Sequence, residues 1–216
     1  MFELKQNKKI FIVTNRHLIE QGNIYEVIEK CAAKGADGII LREKDLDYNS
    51  LKKMAEGIKN ITDRYNIPLI INGNMDVARD VTAYGFHTGI EGIRIIASSN
   101  HIISKHIEKE DFESAYGHFR RKEYDSKQLV LGVSVHSVEE AIEAENLGAD
   151  YLIAGHVFDT ECKPGLKGRG IDFIEKVCDS VNIPVIAIGG ITSSNLNELL
   201  RKKVFGIAAM SYGMRI

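Results

Sequence analysis

Short apolar runs alternate with amphipathic ones along almost the whole chain. The short runs cover residues 10–14, 38–42, 69–72, a weaker 86–89, then 129–136, 151–157, 185–189 and 206–211, and they are rich in Ile, Val and Leu. Strands buried on both faces read this way, so the pattern predicts a parallel sheet. Between them, apolar positions recur at helical spacing over 25–34, 49–65, 76–84, 138–147, 172–181 and 195–202. Asp47 and Ser137 stand where N-caps belong, and Gly35, Gly85 and Gly148 where helices stop. Two echoes reinforce the rhythm. Gly35-Ala36-Asp37-Gly38 returns as Gly148-Ala149-Asp150-Tyr151, and Ile67-Pro68-Leu69-Ile70 as Ile183-Pro184-Val185-Ile186, with proline at the start of a strand. Strict β/α alternation favours an α/β fold of the (β/α)8 TIM-barrel type over an open doubly wound sheet. No glycine-rich dinucleotide fingerprint follows the first strand.

Two regions break the rhythm. Residues 90–128 are too long for one ordinary connection, and they hold an apolar piece at 93–97 and a charged stretch at 105–127, expected to be helical in part. The expectation is a single domain over 1–216 with an insertion at about 90–128 between strands 4 and 5. At the other end the chain stops at Ile216, just after the last strand, so the eighth helix is expected to be missing or truncated. An apolar groove should result, covered by the inserted segment or by a second subunit, and a homodimer is expected.

Composition changes this picture mainly by exclusion. A length of 216 residues suits one barrel. A net charge of −2 makes no electrostatic case for nucleic acid or an acidic membrane as partner. No apolar run approaches the roughly 20 residues of a membrane span. The opening MFELKQNKKIFIVTN runs straight into a strand and does not read as a secretory leader. Cys31, Cys162 and Cys178 are an odd set without metal-ligand spacing, which suggests reduced thiols and a cytoplasmic protein.

Barrels carry their chemistry at the carboxyl ends of the strands. Here those ends read Arg42-Glu43-Lys44, Asn72, His87, Ser134-Val135-His136, His156, Gly189-Gly190 and Ser211-Tyr212-Gly213. Gly189, Gly190 and Ser211 follow the seventh and eighth strands, the usual phosphate position of such barrels, and small residues let backbone N–H groups approach an anion. Arg42 and Lys44, two apart on an extended chain, supply two cations to an anionic substrate. His136 shares a strand face with Ser134 and is a candidate proton carrier, with His87 and His156 as alternatives. The densest chemistry is the loop GHVFDTECKPGLKGRG at 155–170, which contains Thr160, Cys162 and Lys163. Cys162 lacks an evident resolving cysteine or base and reads as a loop residue. Asp76, Glu91 and Asp159 are too dispersed in sequence to suggest a metal site.

LREK at 41–44, IING at 70–73, GVSVHSVEEA at 132–141, GADYLIAGHVF at 148–158, TECK at 160–163 and PVIAIGGIT at 184–192 resemble the thiamine-phosphate synthase/TenI superfamily, in order from first strand to last. The resemblance implies a (β/α)8 barrel and two branches. The synthase branch joins a pyrimidine pyrophosphate to a thiazole phosphate with Mg²⁺ on two aspartates, but Gly73 and Gly92 occupy those places here, and Ile40 replaces an expected glutamine. The 155–170 loop is similar to the TenI branch, whose members are thiazole tautomerases that need no cofactor or metal. That branch places the catalytic histidine on His136. It implies that Arg42, Lys44 and Lys163 face a substrate carboxylate, that Asn72, Ser134 and Thr160 line the ring, and that Gly189, Gly190 and Ser211 hold the phosphate. The expected partner is a small-molecule thiazole phosphate. A synthase, or a non-catalytic binding protein that uses the insertion as a partner surface, are the competing expectations; no DNA-binding motif or basic stripe is evident.

Overall fold

The computed structural model describes residues 8–98 and 129–216. Eight strands, β1 (Lys9–Val13), β2 (Gly38–Leu41), β3 (Leu69–Asn72), β4 (Gly85–Gly89), β5 (Val130–Val135), β6 (Tyr151–Gly155), β7 (Val185–Ile188) and β8 (Gly206–Ala209), run parallel in chain order. β8 pairs back onto β1 and closes the barrel. Helices α1 (Ile24–Ala33), α2 (Tyr48–Tyr65), α3 (Met75–Asp80), α4 (Ile90–Ser98), α5 (Val138–Asn146), α6 (Ile171–Ser180), α7 (Leu196–Leu200) and α8 (Ser211–Met214) follow the strands in turn. The (β/α)8 barrel expected from the alternation is the fold.

Each strand buries both faces. Phe11, Ile40, Ile70, Val130, Tyr151, Ile153 and Ile186 pack together inside the barrel, while Ile12, Ile39, Ile71, Val133, Leu152 and Ile207 pack toward the helices. This double burial is why the strands read as unbroken apolar runs. The expected caps are present: Asp47 accepts the Ser50 N–H at 2.8 Å and Ser137 the Glu140 N–H at 3.1 Å. Gly35 and Gly148 take positive φ after α1 and α5. Gly85 is different. It opens β4 while α3 ends at Asp80, and a side chain at 85 would press on the Val130 carbonyl 2.7 Å away.

One further expectation is corrected. Residues 90–98 are no insertion; they form α4, the barrel's own fourth helix, which leaves β4 without an intervening loop. Ile93 is buried and Ile90 and Ile96 pack on the same core, so the apolar piece is a helix face. The rest of the proposed insertion, including the charged stretch 105–127, lies outside the described residues. The eighth helix is truncated, as expected, to four residues. Its Met214 is buried, Cys31 Sγ on α1 lies 3.4 Å from the Gly213 carbonyl, and Ile216 packs against the core, so these residues fill space where a groove was expected. Among the described residues no helix is long and apolar enough to cross a membrane.

Candidate active site

Alternation along the strands sets which side chains reach the barrel mouth. Past Ile40, the next inward position is Arg42; past Ile70 it is Asn72; past Val130 and Gly132 come Ser134 and His136. Pairing places Asn72 beside His87, and Ser134 between Gly89 and Ile153. Arg42, Asn72, Ser134 and His136 therefore share the inward register at neighbouring strand ends.

Arg42 is held through its backbone, whose N–H donates to Oγ1 of the fully buried Thr14 at 2.9 Å. Arg42 is half-buried as a residue and makes no ion pair among the described residues. Glu43, next along, points the other way. Its buried carboxylate accepts the Arg16 backbone N–H at 3.0 Å and the Arg16 guanidinium at 3.0 Å. Arg16 also forks onto Asp45, with one bond of 2.7 Å, and holds that carboxyl well below the usual carboxylate range. The loops after β1 and β2 are thus clamped together beside Arg42. Lys44 is exposed in the turn that follows, so the two-residue alternation that pairs it with Arg42 in sequence does not extend to it.

Nδ1 of His136 lies 2.7 Å from the carbonyl oxygen of Gly155. A carbonyl only accepts, so in the neutral ring the proton sits on Nδ1 and the lone pair on Nε2. The backbone is fixed too: the His136 N–H donates to Glu140 Oε2 at 2.6 Å, on the same first turn of α5 that Ser137 caps. Asn72 donates from Nδ2 to the His87 carbonyl at 3.1 Å.

His87, one of the alternative histidines, lies deeper. It is 2% exposed, with Nδ1 3.1 Å from the Tyr151 hydroxyl and Nε2 2.8 Å from Ser134 Oγ. Burial pushes its pKa down to about 3, so it is neutral in ordinary conditions. Sequence reasoning missed this chain of three. Gly132 was its signal, because a glycine inside a strand marks a close approach, and here a Cβ would overlap both the Tyr151 phenol and His87 Nδ1. His156, the other alternative, is buried under its own loop, with Nε2 3.2 Å from the Leu166 carbonyl.

The 155–170 loop folds back on itself. Arg169 N–H donates to the His156 carbonyl at 3.0 Å, Gly170 N–H to Val157 at 2.8 Å, and Gly168 N–H to Asp159 Oδ1 at 2.5 Å. A cavity of about 510 Å³ within it is lined by Thr160 and Lys163 but by none of the strand-end set. The loop reaches the start of α8 through Cys162, whose Sγ lies 3.4 Å from Ser211 Oγ. It rests on Gly189 and Gly190, which take φ of +102° and +63°; side chains there would overlap His156 and the carbonyls of Phe158 and Asp159. Val157 and Phe158 donate to the carbonyls of Ile188 and Gly189 at 2.9 and 3.1 Å. Packing alone therefore requires both glycines, whatever their backbone binds.

The family model described as thiamine monophosphate synthase, TMP-TENI, matches residues 10–107 and 96–212. The chain belongs to the TMP-TENI family. The thiamine-phosphate synthase of Clostridium tetani is 33% identical over 202 residues, 94% of this chain and 86% of that protein. The thiamine-phosphate synthase of Clostridium acetobutylicum is 32% identical over 203 residues, 94% and 85% of the two chains. A solved thiamine phosphate pyrophosphorylase from Pyrococcus furiosus superposes with a TM-score of 0.75 at 30% identity, covering 97% of this chain and 89% of that one.

Within this TMP-TENI chain, the two positions that the synthase branch would fill with metal-binding aspartates are Gly73 and Gly92. Gly73 faces open space with φ of +81°. Gly92 lies in the first turn of α4, where a Cβ would overlap Thr88 Oγ1. The nearby acids are engaged or exposed: Glu91 pairs with Arg94 at 2.5 Å, and Asp76 faces solvent. No group of three His, Cys, Asp or Glu side chains gathers among the described residues. At 73 and 92 the described residues therefore lack the paired carboxylates through which the synthase branch would hold a cation on a pyrophosphate.

Proposed function

We propose that the chain is a thiazole tautomerase of thiamine biosynthesis, converting a carboxylated thiazole phosphate with an exocyclic double bond into its aromatic isomer. The observation that carries this reading is His136. Its Nδ1 is committed to the Gly155 carbonyl, which leaves an unprotonated Nε2 at the end of β5. Nε2 takes the proton from the ring carbon that bears the carboxylate. The resulting imidazolium, or a water, delivers a proton to the exocyclic carbon, and aromatisation drives the exchange.

Arg42 faces the carboxylate and the charge that develops on it, Asn72 and Ser134 line the ring, and Gly189, Gly190 and Ser211 take the phosphate; Thr160 and Lys163 would join them only from the 155–170 loop, and Lys44, exposed in its turn, is left out of the set. Support is strongest for Arg42, Asn72 and Ser134, which share the inward register with His136. Incubation with the unrearranged thiazole carboxylate phosphate, without added metal, should yield the aromatic product; no product in that assay overturns the reading.

The names of the clostridial relatives favour a second reading, a thiamine-phosphate synthase. The glycines at 73 and 92 count against it, since a departing pyrophosphate needs concentrated positive charge. A coupling assay with the pyrimidine pyrophosphate, thiazole phosphate and Mg²⁺ separates the two: product formation supports the synthase.

A further inference from the structure

We infer that Tyr151 and His87 form a directed hydrogen-bond relay that fixes the Ser134 hydroxyl as a donor aimed into the barrel mouth, making His87 a positioning residue of the site. The inference rests on the tautomerase reading for what Ser134 meets there, but the relay itself is a property of the chain.

The three groups are joined by two contacts: Tyr151 Oη is 3.1 Å from His87 Nδ1, and His87 Nε2 is 2.8 Å from Ser134 Oγ. They come from three neighbouring strands, β6, β4 and β5, so the barrel's register sets their spacing. Space for the Tyr151–His87 contact exists because β5 carries glycine at 132. Tyr151 and His87 are buried, whereas Ser134 is half-buried at the rim, two residues before His136 on the same face. The chain of groups thus runs from the barrel interior outward and stops at the proposed ring site.

Its direction follows from acid and base strength. A neutral imidazole offers one donor and one acceptor. Of the partners facing it, the phenol is the stronger acid and the imidazole lone pair the stronger base, so Tyr151 O–H donates to Nδ1. The remaining proton is then on Nε2 and is donated to Ser134 Oγ. With its oxygen engaged as acceptor, Ser134 turns its own O–H toward the mouth. There it meets the carboxylate, or the anionic character that grows as His136 removes the ring proton. A donor held in place before the reaction stabilises that charge without reorganising.

Two measurements test the relay. Imidazole ¹⁵N shifts of the wild-type chain, with His87 assigned by loss of its signals in His87→Gln, should show the proton on Nε2; a proton on Nδ1 overturns the inference. In steady-state kinetics, Ser134→Ala should lower kcat about tenfold with KM within about twofold, the scale of one hydrogen bond to a charged group. Tyr151→Phe should lower kcat about threefold, and the double variant should be no slower than Ser134→Ala, because both act through one hydroxyl. Additive losses would mean that Tyr151 acts independently, and they overturn the relay. If the wild-type chain fails to isomerise the substrate, the tautomerase reading falls, while the nitrogen shifts still decide the relay.

Discussion

His136 donates from Nδ1 to the carbonyl oxygen of Gly155, 2.7 Å away, and so joins the end of β5 to the end of β6. The contact serves both halves of a proton transfer. It keeps Nε2 basic while the ring is neutral, and it strengthens as a charge-assisted bond once the ring is protonated.

His136→Asn removes the base but keeps a side chain able to donate to the Gly155 carbonyl. Turnover should fall by about 10²–10⁴-fold. Product binding, measured by calorimetry, should change little. Turnover at the wild-type rate would remove His136 from the mechanism.

Two arginines near the mouth should respond differently to truncation. Arg42 has no ion-pair partner among the described residues, so Arg42→Ala should weaken substrate binding by about 10–100-fold with little loss of stability. Arg16 is committed to Glu43 and Asp45, and Arg16→Ala leaves a buried carboxylate poorly paired. It should cost about 1–3 kcal/mol in urea denaturation. The reverse assignment would show that Arg42 is structural.

Stability should depend on acid through His87. Its folded pKa, about 3, lies below the ordinary 6.5, so between those values the unfolded chain binds a proton that the folded chain refuses. The native state should therefore lose stability as the pH drops below about 6.5, with this contribution levelling off near 3. Denaturation midpoints at a series of pH values should show a shallower decline in His87→Gln than in the wild type. Parallel curves would exclude His87 as the source.

Gly92→Ala places a methyl group against Thr88 Oγ1 and should destabilise the fold by about 1–3 kcal/mol, despite alanine's better helix propensity. Thr88→Ala in that background should recover most of the loss, measured by the same denaturation series. An undisturbed Gly92→Ala would mean that Thr88 swings aside freely, and that a carboxylate at 92 meets no steric obstacle.

The barrel was legible because its strands, buried on both faces, left unbroken apolar runs between helical stretches. That Ser134 and His136 share a face was legible for the same reason, since alternation carries past the strand end when the backbone stays extended. Where the backbone turned, the reading failed: Lys44 follows Arg42 by two residues but sits in a turn. α4 was taken for an insertion because the neighbouring stretch blurred where the helix ended. The Tyr151–His87–Ser134 contact joins three strands, and no local pattern reports which side chains meet across a barrel; only Gly132 left a trace. Gly189 and Gly190 were read for what their backbone could bind, and the weight of the 155–170 loop on them was invisible until both were placed.

That loop and those two glycines form one interlocking part. Transplanted into another barrel without glycines at the matching seventh-strand end, residues 155–170 would find their resting place occupied by side chains. A barrel that kept the glycines and received a different loop would expose an unsupported left-handed turn. Swaps between branches of such barrels should therefore succeed as paired exchanges of adjacent strand ends and fail as single-segment grafts.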